Sequence, residues 1–126
     1  MTGFNLNVEA SARTPEIRLS HGRLEIKGEC YPEDVADFAG SIMPTILSSL
    51  EEVQEFKVYI KLFYFNSSTA KFLYDFFENL DDAAHSGKSI VVNWLYEPDD
   101  DSMQEAGEDF AEDMENLEFN LLEDKE

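Results

Sequence analysis

The chain has 126 residues, enough for one domain with its own core, and 43% apolar content with 13% aromatics excludes a wholly disordered protein. Its net charge of −19 argues against non-specific binding to nucleic acid or to an anionic membrane, since both need basic surface. The single Cys30 excludes an internal disulfide and any multi-cysteine metal site.

No signal peptide and no apolar run near 18 residues stand out, so the expectation is a soluble cytoplasmic protein with no membrane partner. The charge is uneven. Residues 97–126 hold fourteen acids and one base, a net of −13; residues 1–96 hold the remaining −6. The last quarter is therefore a distinct acidic segment. No internal repeat and no Gly/Ser linker divides the chain, so residues 1–126 read as a single domain.

In chain order, residues 1–12 are mixed in character and are expected to fray. Thr14-Pro15 precedes Glu16-Ile17-Arg18-Leu19, which alternates, and His21-Gly22 reads as a turn. Arg23 to Gly28 alternates again, so the two runs form a hairpin with one apolar face. Tyr31-Pro32-Glu33-Asp34 announces a helix with the stripe Val35, Phe38, Ala39, Ile42, Ile46 and Leu50. Pro44 is expected to kink or split that helix near Met43.

Phe56 to Phe65 reads as the central strand. Phe56, Val58, Ile60, Leu62 and Tyr64 share one face; the other face turns apolar at Phe63 and Phe65. Such a strand suits cover on both sides of its C-terminal half. Asn66-Ser67-Ser68-Thr69 turns into a helix over residues 70–84, with Thr69, Phe72, Leu73, Phe76, Phe77, Leu80 and Ala84 on its apolar face. Ser89 to Tyr96 reads as the next strand. Ser102-Met103-Gln104-Glu105 has the capping-box pattern, and Met103, Ala106, Phe110, Met114 and Leu117 stripe an acidic amphipathic helix. Glu118-Phe119-Asn120-Leu121 reads as a short last strand or as a tail. The order predicts an α/β fold: a mixed central sheet with an N-terminal hairpin and about three helices.

No assembled active site emerges. The six glycines are scattered, so no phosphate loop exists. His21 and His85 lie in different elements, and a metal or acid–base site would need them to converge. Cys30 near His21 would act as a nucleophile only in contact with it. Asp99-Asp100-Asp101 lacks the spacing of a calcium loop. No cofactor is implied.

The start of the helix after the central strand is unusual for what it lacks. Asn66, Ser67 and Ser68 all suit an N-cap, yet no carboxylate follows until Asp75, and the first charge is Lys71. A helix N-terminus offers unpaired N–H groups and a partial positive charge, so this end is open to an anion, including a covalent one. On the residues alone the plainer reading is that these hydroxyls simply cap the helix, since serine is a common N-cap. Asn66-Ser67-Ser68 also matches the N-glycosylation sequon, but nothing indicates secretion.

On these residues the chain resembles the SiaC family of bacterial regulatory phosphoproteins. The matching pieces are Thr14-Pro15, Gly22-Arg23-Leu24 through Gly28, Cys30-Tyr31-Pro32-Glu33, Tyr64-Phe65-Asn66-Ser67-Ser68 and Asn93-Trp94-Leu95-Tyr96, spanning about residues 14–120. The resemblance implies a STAS-like fold and no catalytic role. It implies a hydroxyl phosphorylated just after the asparagine, mapping onto Ser67 where the family usually holds threonine, with Ser68 and Thr69 as adjacent alternatives. Asn66, Ser68 and Lys71 are then candidates to support the phosphate or a partner. The implied partners are a Ser/Thr protein kinase, a PP2C-type phosphatase and a GGDEF-type diguanylate cyclase, hence cyclic-di-GMP signalling. A different class of function is an unphosphorylated adaptor that docks through the acidic C-terminal helix.

Overall fold

The computed structural model describes residues 5–124. The hairpin pairs β2 (Glu16–Ser20) with β3 (Arg23–Cys30), antiparallel across a turn at His21-Gly22. A strand not expected from the sequence, β1 (Leu6–Val8), extends it antiparallel to β2, within the stretch expected to fray. The central strand β4 (Glu55–Phe65) runs parallel to β3 and to β5 (Ser89–Tyr96). The last strand, β6 (Glu118–Glu123), is parallel to β5, so this stretch is a sheet strand and not a tail. The spatial order is β1-β2-β3-β4-β5-β6.

Helices α1 (Val35–Glu52), α2 (Ser67–His85) and α3 (Asp101–Glu112) are the crossovers between successive parallel strands. Right-handed crossovers that all step the same way place every helix on one face. That face is the apolar one. Ile42 of α1 and Phe72 of α2 meet Ile17, Ile26 and Leu62, and Phe110 of α3 lies 5.4 Å from Trp94. Phe56, Phe76, Phe77 and Trp94 are fully buried there. The other face of the sheet carries exposed Arg18, Arg23, Lys27 and Lys57 and has no helix over it.

Three expectations need correction. α1 is not split at Pro44, which lies exposed inside an unbroken helix. The carbonyl that Pro44 cannot bond belongs to Gly40, also exposed, so water can serve it. Second, the C-terminal half of β4 is not covered on both sides, since Phe63 and Tyr64 are exposed. Phe63 lies on the face that no helix covers, and Tyr64 is turned out by a bulge. Leu62 pairs with Gly28 and Tyr64 with Glu29, leaving Phe63 without a partner. One extra residue reverses the alternation, so Tyr64 turns out and Phe65 turns in. Gly28, with φ +133° and its α-carbon facing Pro15, permits the irregularity. Third, the helix expected over residues 70–84 begins at Ser67 and ends at His85.

The acidic segment is integral to the core. Met103, Phe110 and Leu117 are buried, and the Trp94 indole donates to the Met103 carbonyl at 3.0 Å. A Cβ on Gly107 would stand 2.5 Å from Cδ1 of Trp94, so only glycine lets α3 lie this close to the sheet. Asp81, inside α2, accepts backbone N–H groups from Asn116 at 2.8 Å and Leu117 at 3.0 Å, fixing the entry to β6.

Candidate functional site

Three parallel strands deliver three helix starts to one edge of the sheet. β3 ends at Cys30, β4 at Phe65 and β5 at Tyr96, and α2, which follows β4, takes the middle place. Ligands of such sheets gather at the carboxyl ends of the strands.

The outer two helix starts are compensated. Asp34 caps α1, its Oδ1 accepting the Asp37 N–H at 3.0 Å, and Asp37 itself stands in the first turn. Asp100, and not the Ser102 of the expected capping box, caps α3 by accepting the Met103 N–H at 3.1 Å, with Asp101 following. The middle start is different. Neutral Asn66 caps α2, its Oδ1 accepting the Thr69 N–H at 3.0 Å, and no acid occupies the first turn. The Ala70 N–H is taken by the Asn66 carbonyl at 2.9 Å. The N–H groups of Ser67 and Ser68 are the ones an N-terminus leaves without a helical acceptor.

The structure separates the three candidate hydroxyls. Ser67 and Ser68 are the first two residues of α2 and both are exposed. Thr69 is fully buried, and its Oγ1 makes no hydrogen bond of ordinary length. Its polar neighbour is the Cys30 thiol, whose pKa burial pushes up to about 11, with the Thr69 hydroxyl opposing that rise. Cys30 is therefore a protonated core thiol at neutral pH. His21 stands in the turn at the opposite end of β3, roughly 25–30 Å of extended chain away, so no Cys–His pair forms. Lys71 is exposed, and its Nζ lies 3.6 Å from Asp75, one turn further down α2. No cluster of three or more metal-ligating side chains exists among the described residues.

An aromatic shelf stands on the same rim. Tyr64 meets Tyr31 edge-on at 5.4 Å, and Arg13 lies over the Tyr31 ring at 5.9 Å while approaching Glu33 at 3.8 Å. Beneath it, Phe65 packs against Trp94 and Phe110 at 6.2 and 6.4 Å, so the residue just before the cap is anchored in the core. The exposed hydroxyls thus sit on a rigid base.

Sequence reading missed two charged groups. Lys61, for which the sequence offered no partner, is buried between Glu97 and Asp124 at 2.8 and 2.7 Å. Burial works against its charge, but the two carboxylates outweigh that and raise its pKa. Asp81 is the other. Burial would raise its pKa, yet the N–H donors of Leu117 and Asn116 prevail and lower it. Neither carries a local signal, because each partner is more than thirty residues away.

Comparison with known proteins agrees with this architecture. A family model described as SiaC family regulatory phosphoprotein matches residues 8–124. An uncharacterized protein of Pseudomonas aeruginosa is 27% identical over 112 residues, covering 86% of this chain and 89% of its own. The crystal structure of apo-SiaC from Pseudomonas aeruginosa superposes with a TM-score of 0.84 at 26% identity, covering 94% of this chain and 98% of that one. A chain in the crystal structure of the diguanylate cyclase SiaD with its activator SiaC, from the same organism, gives 0.88 at 25% identity, covering 94% and 99%. No helix among the described residues is long and apolar enough to cross a membrane.

Proposed function

The chain belongs to the SiaC family of regulatory phosphoproteins, and on that premise we propose that it is a non-enzymatic switch, phosphorylated at Ser67, whose unmodified form binds and activates a diguanylate cyclase. The observation that carries this reading is the uncompensated start of α2 with two exposed serines on it, between two helix starts that hold acids. Ser67 stands first after the cap, and Ser68 is the alternative acceptor. Thr69 is set aside because an enzyme cannot reach a fully buried hydroxyl.

A phosphate on Ser67 brings roughly −1.5 to −2 charges and three acceptor oxygens. Its oxygens can reach the N–H groups at the start of α2, where a negative charge is favoured. A partner packed on that edge in the neutral state then meets a solvated dianion, with like-charge repulsion and a desolvation cost. A Ser/Thr kinase would close the switch and a PP2C-type phosphatase reopen it. The SiaC relative is the activator of the cyclase SiaD, which supports a cyclase as this chain's partner.

The test is a binding series against the cyclase from the same cells. Ser67→Ala should fold normally, resist the kinase and bind as the unmodified protein does. Ser67→Asp should bind at least about tenfold more weakly, an energy of about 1.4 kcal/mol. Equal affinity of the two variants, by calorimetry, would remove Ser67 as the switch. Mass spectrometry of protein isolated from its native cells distinguishes Ser67 from Ser68.

A second reading has one observation in its favour. Asp101, Glu105, Glu108, Asp109 and Glu112 of α3 are all exposed, an acidic face that suits docking on a basic partner. Binding that fell steeply with salt and with Glu105→Gln/Asp109→Asn, but not with Ser67→Asp, would favour it.

A further inference from the structure

The helices cover one face of the sheet and leave the other bare. At the carboxyl end of that bare face, apolar side chains gather. Leu122, 43% exposed, pairs in register with half-buried Leu95, which pairs with Lys61 on β4. Phe63, 44% exposed and two residues beyond Lys61 on the same face, lies with its ring 5.3 Å from the Lys61 ammonium, and the bulge then turns Tyr64 outward beside it. Tyr64, 51% exposed, continues the patch to the rim. These three are the exposed large hydrophobics among the described residues, and they share one end of the molecule. Exposed apolar side chains that cluster mark interaction sites, whereas scattered ones do not. Bulges recur where a strand must aim a side chain for function.

We propose that this patch seats an amphipathic helix of a partner protein, one with an apolar stripe flanked by lysines or arginines. A helix is the fitting occupant because this is a sheet face, not an edge. A strand adds at a sheet edge, in the plane of the sheet, and would not cover side chains that stand on the face across β4, β5 and β6, whereas helices cover the opposite face of this same sheet in that way. The charge is specified by the surroundings. At this end of the face Glu29, Glu97 and Asp124 stand against Lys61, which Glu97 and Asp124 hold, and exposed Lys27 on β3. Arg18, Arg23 and Lys57 lie toward the other end of the face, and the chain as a whole carries −19. A second copy of this chain is disfavoured as the occupant, since it would bring a further −19 charges. The surface is distinct from the serines at the start of α2, and its test involves no phosphate.

The experiment uses the full chain and two synthetic 18-residue helices, each with a leucine stripe, one with lysines and one with glutamates on its polar face. Fluorescence anisotropy at near-physiological salt should show the lysine helix binding the wild type. Binding should be at least about tenfold weaker to Phe63→Ser/Leu122→Ser, and the glutamate helix should not bind. Leu122→Lys alone, a change at an exposed edge position, should weaken binding in the same direction and guards against misfolding of the double variant. Equal affinity for wild type and variants would overturn the proposal, as mere charge adsorption. So would equal binding of the glutamate helix, or a dimer in sedimentation that the double variant dissolves.

Discussion

The start of α3 and the start of α2 are neighbours on one sheet edge. At α3 every group has an internal purpose: Asp100 caps, Asp101 adds charge, Trp94 donates to the Met103 carbonyl, and Gly107 lets the helix press on Trp94. At α2 the base is equally firm, through Phe65 against Trp94 and Phe110, but the surface is left unfinished. A neutral cap, two exposed serines and no acid leave the positive end of the helix unanswered. The difference teaches where stability and responsiveness were separated. The far side of α2 is tied down by Asp81, and its start presents two exposed serines.

The largest effect should come from cutting the tie at the far side. Asp81→Ala removes the acceptor for two backbone N–H groups and the Asn116 amide, and should cost about 1–3 kcal/mol by chemical denaturation. The sign of its pH dependence follows from its lowered pKa. A carboxylate depressed on folding contributes stability above its unfolded value near 3.8, and that contribution is lost as pH falls through the folded value. Asp81→Asn should therefore flatten the acid limb of the stability curve below about pH 4. An unchanged acid limb would show that Asp81 does not hold the β6 entry.

Next comes the seat of α3. Gly107→Ala forces a methyl into Trp94 and Leu121, with contacts of 2.5 and 2.7 Å before relaxation. Overpacking costs about 1–3 kcal/mol, and the better helix propensity of alanine returns about 1. The net loss should be up to about 2 kcal/mol, with the proposed phosphorylation of Ser67 unaffected. Loss of phosphorylation in that variant would mean that the two helix starts are not independent. At the cap of α3, Asp100→Ala should cost about 1 kcal/mol.

Much of this contrast could be read from the chain. A cap among Asn66, Ser67 and Ser68 and the missing acids are local features, and the structure assigns the cap to Asn66. The strands and helices with clean periodicity were also legible, as in Ser89–Tyr96 and the Leu73, Phe76, Phe77, Leu80 stripe of α2. What stayed hidden was set by partners distant in sequence. Tyr64 belonged to the buried parity until an irregularity opposite Gly28 reversed it. Thr69, by contrast, was already placed on the apolar stripe of α2 by its spacing, and it is fully buried. Gly107 carries no signal until Trp94 is placed beneath it. The strand Leu6–Val8 is too short and too mixed to announce itself.

The smallest prediction bears most directly on the comparison. If the start of α2 is uncompensated, then adding one negative charge there should help the unmodified protein. Asn66→Asp keeps a competent cap, since the two residues are nearly equal in that role. It adds the charge that Asp34 and Asp100 supply to the neighbouring helices, and should raise stability by about 0.3–1 kcal/mol at low salt. Asp100→Asn should lose a similar amount, and both changes should shrink as salt is added. In Asn66→Asp, a phosphate on Ser67 must share the same N–H groups with an existing carboxylate, so phosphorylation should raise the melting temperature less than in the wild type. A variant that lost stability where Asp100→Asn also lost it would show that the α2 start already has its negative charge from the protein, leaving no electrostatic vacancy for a phosphate to fill.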